Sequence, residues 1–446
     1  MMRIFEEYKS KLCTAEQAVQ LVKSGDWVDY GSNNSMPFTL DAALAARKEE
    51  LHAVKIRGNL MPGPIQVIEC DPEHEHFIYN TWHCSGYERK LCDQGRVFFT
   101  PMLFRNLEWY YTNFLTVDVA MLSVSPMDEE GYFSLSCATG AVSPAVKVAK
   151  KIVLEVNEAM PRICGGEETK IHISRVDAVV EAGYRELWCM ENPAATETDM
   201  AIAKHILPFI PNGATLQLGI GGMPNVLGEL IAGSDLKDLG MHTELCTDSY
   251  FALHEAGKLT NVGKNIHRGK SVFGLAIGTR RLYDWINDNP ALEGFPLSYV
   301  NDPAVISSID NMISINGCLN ADLYGQVSSE SAGTRQISGT GGQLDFVTGA
   351  SASKGGKSFL CMSSSFTDRQ GVRHSRIVPK FTGGDIITTP RAQAYYIVTE
   401  YGAVNLAGRS TWERADALVS IAHPDFRDEL IRAAEEQKIW LPSNKR

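Results

Sequence analysis

The feature that most constrains the fold is an order of segments, helix then turn then strand, that occurs twice along the chain. An amphipathic segment at residues 18–23 is followed by a turn at 24–26 and an apolar, partly β-branched run at 27–31. The same order returns with a helical segment at residues 205–210, a turn at 211–213 and a strand at 214–219. Apolar runs that alternate with amphipathic segments predict α/β domains with largely parallel sheets covered by helices.

A second repeated sequence pattern supports the first. Residues 128–134 are similar in sequence to residues 322–328, and each segment lies downstream of an apolar run, at residues 119–124 and 312–315. Two matches in the same order predict that the chain consists of duplicated halves.

A polar segment at residues 191–199 predicts the boundary between the halves. Pro193 disfavours helix at Asn192, and Thr198 or Asp199 is a candidate cap for a helix that begins near Met200. We therefore predict an N-terminal domain over residues 1–192 and a C-terminal domain over residues 193–446.

Length and charge limit the functions that are open to the chain. With 446 residues, 44% of them hydrophobic, it can bury a large core, and two domains fit this length better than one or four. The formal charge of −11 argues against a nonspecific nucleic-acid binder, which needs a basic face. An anionic ligand remains compatible, because helix N-termini and a few local cations can hold phosphates.

The sequence also predicts a cytoplasmic protein without membrane association. Residues 1–7 contain no apolar core of a signal peptide, and no stretch approaches the roughly 20 apolar residues of a spanning helix. The ten cysteines lie between Cys13 and Cys361 without a CxxC pair, so we interpret them as reduced thiols.

A glycine-rich turn follows the strand predicted at residues 214–219 and leads into a helix predicted at residues 226–231. Glycines at such a turn let the backbone approach a ligand and expose N–H groups at a helix start. By itself the turn fits a ligand loop and a tight connection equally well. It does not fit a dinucleotide fingerprint, because position 224 is Pro224 where glycine is required. Its residues are Gly219, Ile220, Gly221, Gly222, Met223, Pro224 and Asn225.

The tripeptide His242-Thr243-Glu244 lies between this turn and a second glycine-rich turn at residues 339–346. From its pattern alone, Glu244 could be an ordinary carboxylate at a strand end. The second turn could equally be a β-bulge or a hairpin turn.

Together these three segments resemble the family I coenzyme A-transferases, in the acetyl-CoA hydrolase/transferase branch, and the likeness covers nearly the whole chain. The closest likeness is to butyryl-CoA:acetate and 4-hydroxybutyrate CoA-transferases. The resemblance implies two similar α/β domains with the active site between them. It also implies short-chain acyl-CoA and carboxylate substrates, a homo-oligomer, no metal, and no cofactor beyond coenzyme A (CoA) as substrate.

The resemblance further assigns roles to residues. It implies that Glu244 is the nucleophile, that residues 219–225 bind CoA, and that Leu319 and Asn320 lie at the CoA end of the site. Gly341 or Gly342 would donate a backbone N–H to the developing oxyanion. Residues 80–86 and 125–128 also look like family segments that line an acyl pocket, although Trp82 could simply pack in the core and His83 could satisfy a buried carbonyl.

A carboxylate nucleophile explains how such a transfer proceeds. Attack of the carboxylate on the acyl-CoA carbonyl gives an enzyme acyl anhydride and free CoA thiolate, and the thiolate then attacks the glutamyl carbonyl to give a glutamyl-CoA thioester. A carboxylate acceptor reverses these steps.

The resemblance therefore implies CoA transfer from butyryl-CoA to acetate. The alternatives are a 4-hydroxybutyrate CoA-transferase, an acetyl-CoA hydrolase and, in a different class, a noncatalytic CoA-binding module; a Rossmann dehydrogenase is a weaker rival.

Other motifs are set aside. Residues 351–358 miss the phosphate-loop pattern and precede a predicted strand where that motif needs a helix. His74 and His76 lack a metal-ligand spacing. The sequence contains no GxSxG motif, which disfavours a serine hydrolase of the α/β type.

Overall fold

A computed structural model describes residues 2–190 and 194–440. The strands are β1 (Trp27–Ser32), β2 (Val54–Asn59), β3 (Phe77–Thr81), β4 (Phe98–Phe99), β5 (Val119–Val124), β6 (Tyr132–Ser134), β7 (Lys151–Val156), β8 (Lys170–His172), β9 (Ala178–Glu181), β10 (Thr215–Leu218), β11 (Gly240–Cys246), β12 (Ser271–Ala276), β13 (Leu292–Gly294), β14 (Met312–Gly317), β15 (Asn320–Asp322), β16 (Val327–Ser328), β17 (Ser331–Ala332), β18 (Arg335–Gln336), β19 (Lys357–Cys361), β20 (Ser365–Thr367), β21 (Arg373–Ser375), β22 (Ile377–Val378), β23 (Tyr396–Thr399) and β24 (Gly402–Asn405).

The helices are α1 (Met2–Lys11), α2 (Ala15–Ala18), α3 (Phe38–Ala45), α4 (Gln66–Glu69), α5 (Gly86–Asp93), α6 (Leu107–Asn113), α7 (Thr139–Val148), α8 (Glu197–Ile206), α9 (Gly222–Ala232), α10 (Asp248–Glu255), α11 (Arg280–Ile286), α12 (Leu297–Val300), α13 (Pro303–Ser307), α14 (Gln343–Ala352), α15 (Thr411–Ile421) and α16 (Pro424–Glu436). Among the described residues, none of these helices is both long enough and apolar enough to cross a membrane.

The chain forms two compact units. Unit 1 contains Met1–Glu191, Glu244–Cys246 and Ser271–Val300, and unit 2 contains the remaining residues. The predicted domain boundary between residues 192 and 193 lies outside the described residues and stays a prediction.

Unit 1 is built on a parallel sheet with the strand order β4-β3-β2-β1-β5-β7-β9. Every residue of β5 is buried, because hydrophobic clusters cover both faces of the sheet. Val119 and Met121 pack into one cluster, whereas Ala120, Leu122 and Val124 pack into the other. Successive side chains of a strand point to opposite faces, so a strand that is buried on both faces consists of a continuous apolar run.

Unit 2 repeats this arrangement. In unit 2 the first part of β11, up to Thr243, and strands β10, β14, β19, β23 and β24 lie side by side in that order. All neighbouring pairs for which the register is defined are parallel except β23 and β24. In each unit the first strand, β1 or β10, lies between the strand that follows it and a later strand, β5 or β14. The prediction of two α/β domains with largely parallel sheets is confirmed.

The second repeated sequence pattern has a structural counterpart in two hairpin turns. The Asp128 carboxylate accepts hydrogen bonds from the N–H groups two and four residues ahead, at 3.0 and 2.8 Å. The Asp322 carboxylate accepts the equivalent pair at 3.1 and 2.9 Å. Asp368 makes the same two bonds at 2.9 Å each, so this turn is a local motif of the chain rather than proof of duplication.

Two of the predicted helix ends are wrong. The helix expected near Met200 begins at Glu197, and its cap is Thr196 rather than Thr198 or Asp199. Thr196 and Asp199 form a reciprocal capping box, which fixes the helix start three residues earlier. The helical segment expected at residues 205–210 leaves α-helical geometry after Ile206, since Pro208 removes a backbone donor.

Candidate active site

The first glycine-rich turn connects β10 to α9. The turn is shorter than predicted, because α9 begins at Gly222 and includes Met223, Pro224 and Asn225. Gly221 precedes the helix with φ +125° and ψ −178°, a conformation available essentially only to glycine. The predicted strand, turn and helix are therefore present in this order, and the first N–H groups of α9 lack partners within the helix.

The turn lies at the switch point of its sheet. Strand β10 pairs with β11 on one side and with β14 on the other, in parallel. In open α/β sheets, ligands bind beyond the carboxyl ends of the strands at the point where the chain changes direction across the sheet. The turn after β10 and the segment after β14 flank this point in unit 2.

A cavity of about 190 Å³ opens at these strand ends. It is lined by Ile220 and Gly221 of the turn, by Gly222, Met223 and Pro224 at the start of α9, by Gly317 at the end of β14, by Cys361 at the end of β19 with Met362 and Ser363 after it, and by Asp199 and Ile202 of α8. Five of the predicted CoA-binding residues thus share one cavity. Asn225 does not line it; its side-chain oxygen accepts a hydrogen bond from Ser249 of α10 at 2.9 Å.

Leu319 and Asn320 follow β14 in the same unit. The side-chain oxygen of Asn320 is buried and accepts no hydrogen bond within the described residues. The backbone oxygen of Leu319 accepts a hydrogen bond from Arg376 at 3.0 Å, and Arg376 also donates to Ser363 of the cavity wall at 3.1 Å. Burial lowers the pKa of the Arg376 guanidinium, which pairs with no carboxylate in residues 2–190 and 194–440.

The second glycine-rich turn is neither a bulge nor a hairpin. Gly341 has φ +57°, Gly342 caps α14, and the helix begins at Gln343, so residues 343–346 are helical. The Gln343 side-chain amide donates to the backbone oxygen of Gly317 at 2.8 Å. This bond connects the second turn to the last residue of β14, and the first turn borders the same residue through the cavity.

Sequence reasoning missed Glu330, which holds the second turn in place. Its carboxylate is buried and accepts hydrogen bonds from the hydroxyl groups of Thr340 at 3.0 Å and Thr388 at 3.1 Å. Glu330 lies in a serine-rich segment between two short strands, and that pattern carries no signal for a buried carboxylate.

Glu244 lies within β11 rather than at its end, and it is the one residue of that strand that is partly exposed. Its backbone oxygen lies 3.3 Å from the point where a Cβ atom on Gly274 of β12 would stand. Glu244 belongs to unit 1, whereas the glycine turns, Leu319 and Asn320 belong to unit 2. A shared active site with Glu244 as nucleophile stays a prediction.

The N-terminal segments lie at strand ends of unit 1. Trp82 is 1% exposed and packs its ring edge-on against Phe104, as the structural interpretation expects. His83 does not satisfy a buried carbonyl through Nδ1, which has no partner in the described chain, and burial lowers the pKa of its imidazole to about 4. In the other segment, Asp128 forms an ion pair with Arg162 at 2.6 Å.

Asn59, at the end of β2, was not identified from the sequence. Neither the oxygen nor the nitrogen of its buried side-chain amide has a hydrogen-bond partner in the part of the chain that the structure describes. Such groups are rare in folded proteins, because an unsatisfied buried amide costs about 1–3 kcal/mol. A ligand or ordered water is therefore expected at this position.

Two family descriptions match the chain. The acetyl-CoA hydrolase/transferase N-terminal domain matches residues 2–184, and the C-terminal domain of the same family matches residues 278–434. The butyryl-CoA:acetate CoA-transferase of Anaerostipes caccae is 50% identical over 454 residues, which cover 100% of both chains. The 4-hydroxybutyrate coenzyme A transferase of Clostridium kluyveri is 39% identical over 427 residues, which cover 96% of this chain and 97% of the relative.

The fold of this protein is also similar to that of a solved structure. The crystal structure of RipA from Yersinia pestis superposes with a TM-score of 0.90 and 37% sequence identity, over 98% of this chain and 100% of RipA. Both family domains, in order and over most of the chain, establish that this protein is an enzyme of the acetyl-CoA hydrolase/transferase family.

Proposed function

We propose that this enzyme transfers CoA from butyryl-CoA to acetate through a covalent thioester on Glu244. The observation that carries the proposal is 50% identity over the full length to a butyryl-CoA:acetate CoA-transferase. We also propose that it needs no metal and no cofactor other than the CoA of its substrate, and that it acts as a homo-oligomer.

The reaction balances without an outside oxidant or base. The Glu244 carboxylate attacks the butyryl carbonyl, the C–S bond breaks, and CoA leaves as a thiolate with a mixed anhydride on the protein. The thiolate attacks the glutamyl carbonyl, so butyrate leaves and glutamyl-CoA forms. Acetate then attacks glutamyl-CoA, and the same two steps in reverse release acetyl-CoA and restore the carboxylate.

The cavity in unit 2 supports the CoA end of this proposal. The start of α9, where Gly222 and Met223 carry N–H groups, attracts negative charge, and the adjacent glycines let a ligand approach the backbone. Arg376 contributes a cation beside the cavity wall. The unpaired Asn320 oxygen is an acceptor of the kind that the amide N–H groups of pantetheine require.

The test is to trap the intermediate. The enzyme is incubated with butyryl-CoA and no acceptor, treated with borohydride to reduce the thioester, and analysed by peptide mass mapping. In the wild type we expect loss of activity and a reduced side chain at Glu244. Glu244→Gln should be inactive before treatment and should show no reduced side chain at this position. Glu186→Gln, which alters an exposed glutamate of the same unit, is the control and should behave as wild type. Trapping on a cysteine, or no trapping at all, would refute the mechanism.

The rival activities give different results in the same preparation. A hydrolase releases CoA continuously without acetate, and a noncatalytic module binds CoA without transferring it. A transferase releases at most one equivalent of butyrate per active site and keeps the CoA as the protein thioester until acetate is added, when acetyl-CoA is released.

One observation favours the alternative acyl group, 4-hydroxybutyrate. The unsatisfied amide of Asn59 would gain a partner from a substrate hydroxyl if it lines the acyl pocket, and a chain without that hydroxyl would leave it unpaired. The resulting preference for 4-hydroxybutyryl-CoA over butyryl-CoA is about 1–3 kcal/mol, or roughly 5- to 150-fold in kcat/KM.

Side-by-side kinetics with acetate decide between the two substrates. If the pocket is apolar, butyryl-CoA is the better donor, because the hydroxyl of its rival loses its hydrogen bonds with water. A preference for 4-hydroxybutyryl-CoA that disappears in Asn59→Leu would overturn the butyryl assignment and leave CoA transfer intact.

A further inference from the structure

Two thiols of unit 1 lie next to each other without a disulfide. Cys84 follows β3, Cys92 lies in the last turn of α5, and their Sγ atoms are 3.6 Å apart. Eight helical residues span about 12 Å, so the helix alone would not bring these positions together. The segment before α5 must therefore fold back along the helix, and Ser85 and Glu88 fix it there through a reciprocal capping box.

The two thiols differ in access and in acidity. Cys84 is buried, whereas Cys92 is partly exposed. The hydrogen bond between the thiols lowers the pKa of Cys92, against the opposing effects of burial and of Glu88 and Asp93, and raises the pKa of Cys84. The thiolate is the reactive form of cysteine, so the more accessible member of the pair is also the better nucleophile.

We propose that Cys84 and Cys92 form a peroxide-reactive dithiol, in which Cys92 is the attacking residue and Cys84 the resolving residue. The Cys92 thiolate attacks one oxygen of hydrogen peroxide, the O–O bond breaks, and hydroxide leaves and takes up a proton to give water. Cys92 is then a sulfenic acid. The Cys84 sulfur attacks it, the S–O bond breaks, and a second water leaves. Two thiols are oxidised to one disulfide, and one peroxide is reduced to two waters.

The geometry permits this closure. A disulfide needs an S–S distance of about 2.05 Å, so the sulfur atoms must approach by roughly 1.5 Å, a movement within reach of side-chain rotation. This inference is independent of the proposed acyl transfer, because its readout is a covalent bond rather than activity.

The test uses the reduced full-length protein, treated with hydrogen peroxide, alkylated and digested with trypsin without reduction. Trypsin cuts after Arg89 and Lys90, between the two cysteines. The disulfide therefore appears as two peptides joined together, with a mass two hydrogens below their sum, and dithiothreitol separates them.

Matched variants identify the pair. The peptide that contains Cys84 also contains Cys70, so Cys70→Ser must keep the link, whereas Cys84→Ser and Cys92→Ser must lose it. In Cys84→Ser, a dimedone probe should label Cys92 as a sulfenic acid. Circular dichroism checks that each variant is folded. If a variant does not fold, the linked peptides in the wild-type digest still test the proposal. Oxidation of the exposed Cys189 without a link between residues 84 and 92 in the wild type would overturn the proposal.

Discussion

Substituting Gly221 with alanine tests whether the turn after β10 binds CoA through its backbone. A Cβ atom at this position would meet no atom within 4 Å, so the new methyl group does not collide with the protein. The backbone, however, has φ +125° and ψ −178°, which alanine adopts only with strain. The substitution therefore perturbs the conformation of the turn without removing any contact.

The size of the effect follows from this conformation. A residue with a side chain in this region costs on the order of 1–3 kcal/mol. If the turn relaxes to avoid the strain, the start of α9 moves, and binding must restore the original geometry at that cost. Since about 1.4 kcal/mol is a factor of ten, we expect the KM for acyl-CoA to rise roughly 5- to 150-fold.

The assay is steady-state transfer with varied acyl-CoA at saturating acetate, together with denaturant unfolding. The control is Gly257→Ala in the same unit, where φ is +65° and no atom lies within 4 Å of the new Cβ. Both variants should lose stability, at about 1–2 kcal/mol for the control, but only Gly221→Ala should weaken acyl-CoA binding. If its KM stays within twofold of wild type, the turn does not hold CoA as proposed.

Three further predictions concern single side chains. Arg376→Met should raise the KM for acyl-CoA about tenfold, which is the value of one charge-assisted hydrogen bond. The control, Arg373→Met, breaks an exposed ion pair with Asp425 and should leave the KM unchanged. Equal effects of the two substitutions would contradict the role of Arg376. Glu244→Asp should cut transfer by about a hundredfold, because the carboxylate is withdrawn by one methylene, and a wild-type rate would exclude Glu244 as the nucleophile. The folded-state pKa of His83 lies below its unfolded value, so its contribution to the free energy of unfolding is present above pH 6.5 and is lost as pH falls to about 4. Unfolding measurements between these pH values should therefore show a smaller loss of stability in His83→Gln than in the wild type. An identical loss would assign the titration to another group.

Local patterns predicted the parts of the fold that depend on neighbouring residues. The strands expected at residues 27–31 and 214–219 are β1 and β10, because apolar β-branched runs between turn residues leave few other structures. The helix start at Glu197 was missed by three residues, since Thr196, Thr198 and Asp199 all suit a cap. Only the reciprocal bonds of Thr196 and Asp199 distinguish among them.

The parts that escaped prediction join residues that are distant in sequence. Gln343 reaches Gly317, and Thr388 reaches Glu330 across 58 positions. The unsatisfied amide of Asn59 becomes visible only when burial is known. Polar residues in turn-rich segments carry no periodicity, so the sequence indicates that they are polar but not which of them are buried, paired or left open for a ligand.

The two sheets share their strand order but differ in the turn after the first strand. After β10, the turn presents glycine backbone and the bare start of α9, which suits an anion. After β1, the turn presents side chains instead: Asn34 is held by the Tyr283 hydroxyl at 2.9 Å and by the backbone of Trp188, and the nitrogen of Asn33 has no partner in the described residues. The same position in the fold therefore offers N–H groups in one unit and side-chain amides in the other. A substitution should therefore act through backbone access in the turn after β10, as Gly221→Ala tests, and through side-chain chemistry in the turn after β1.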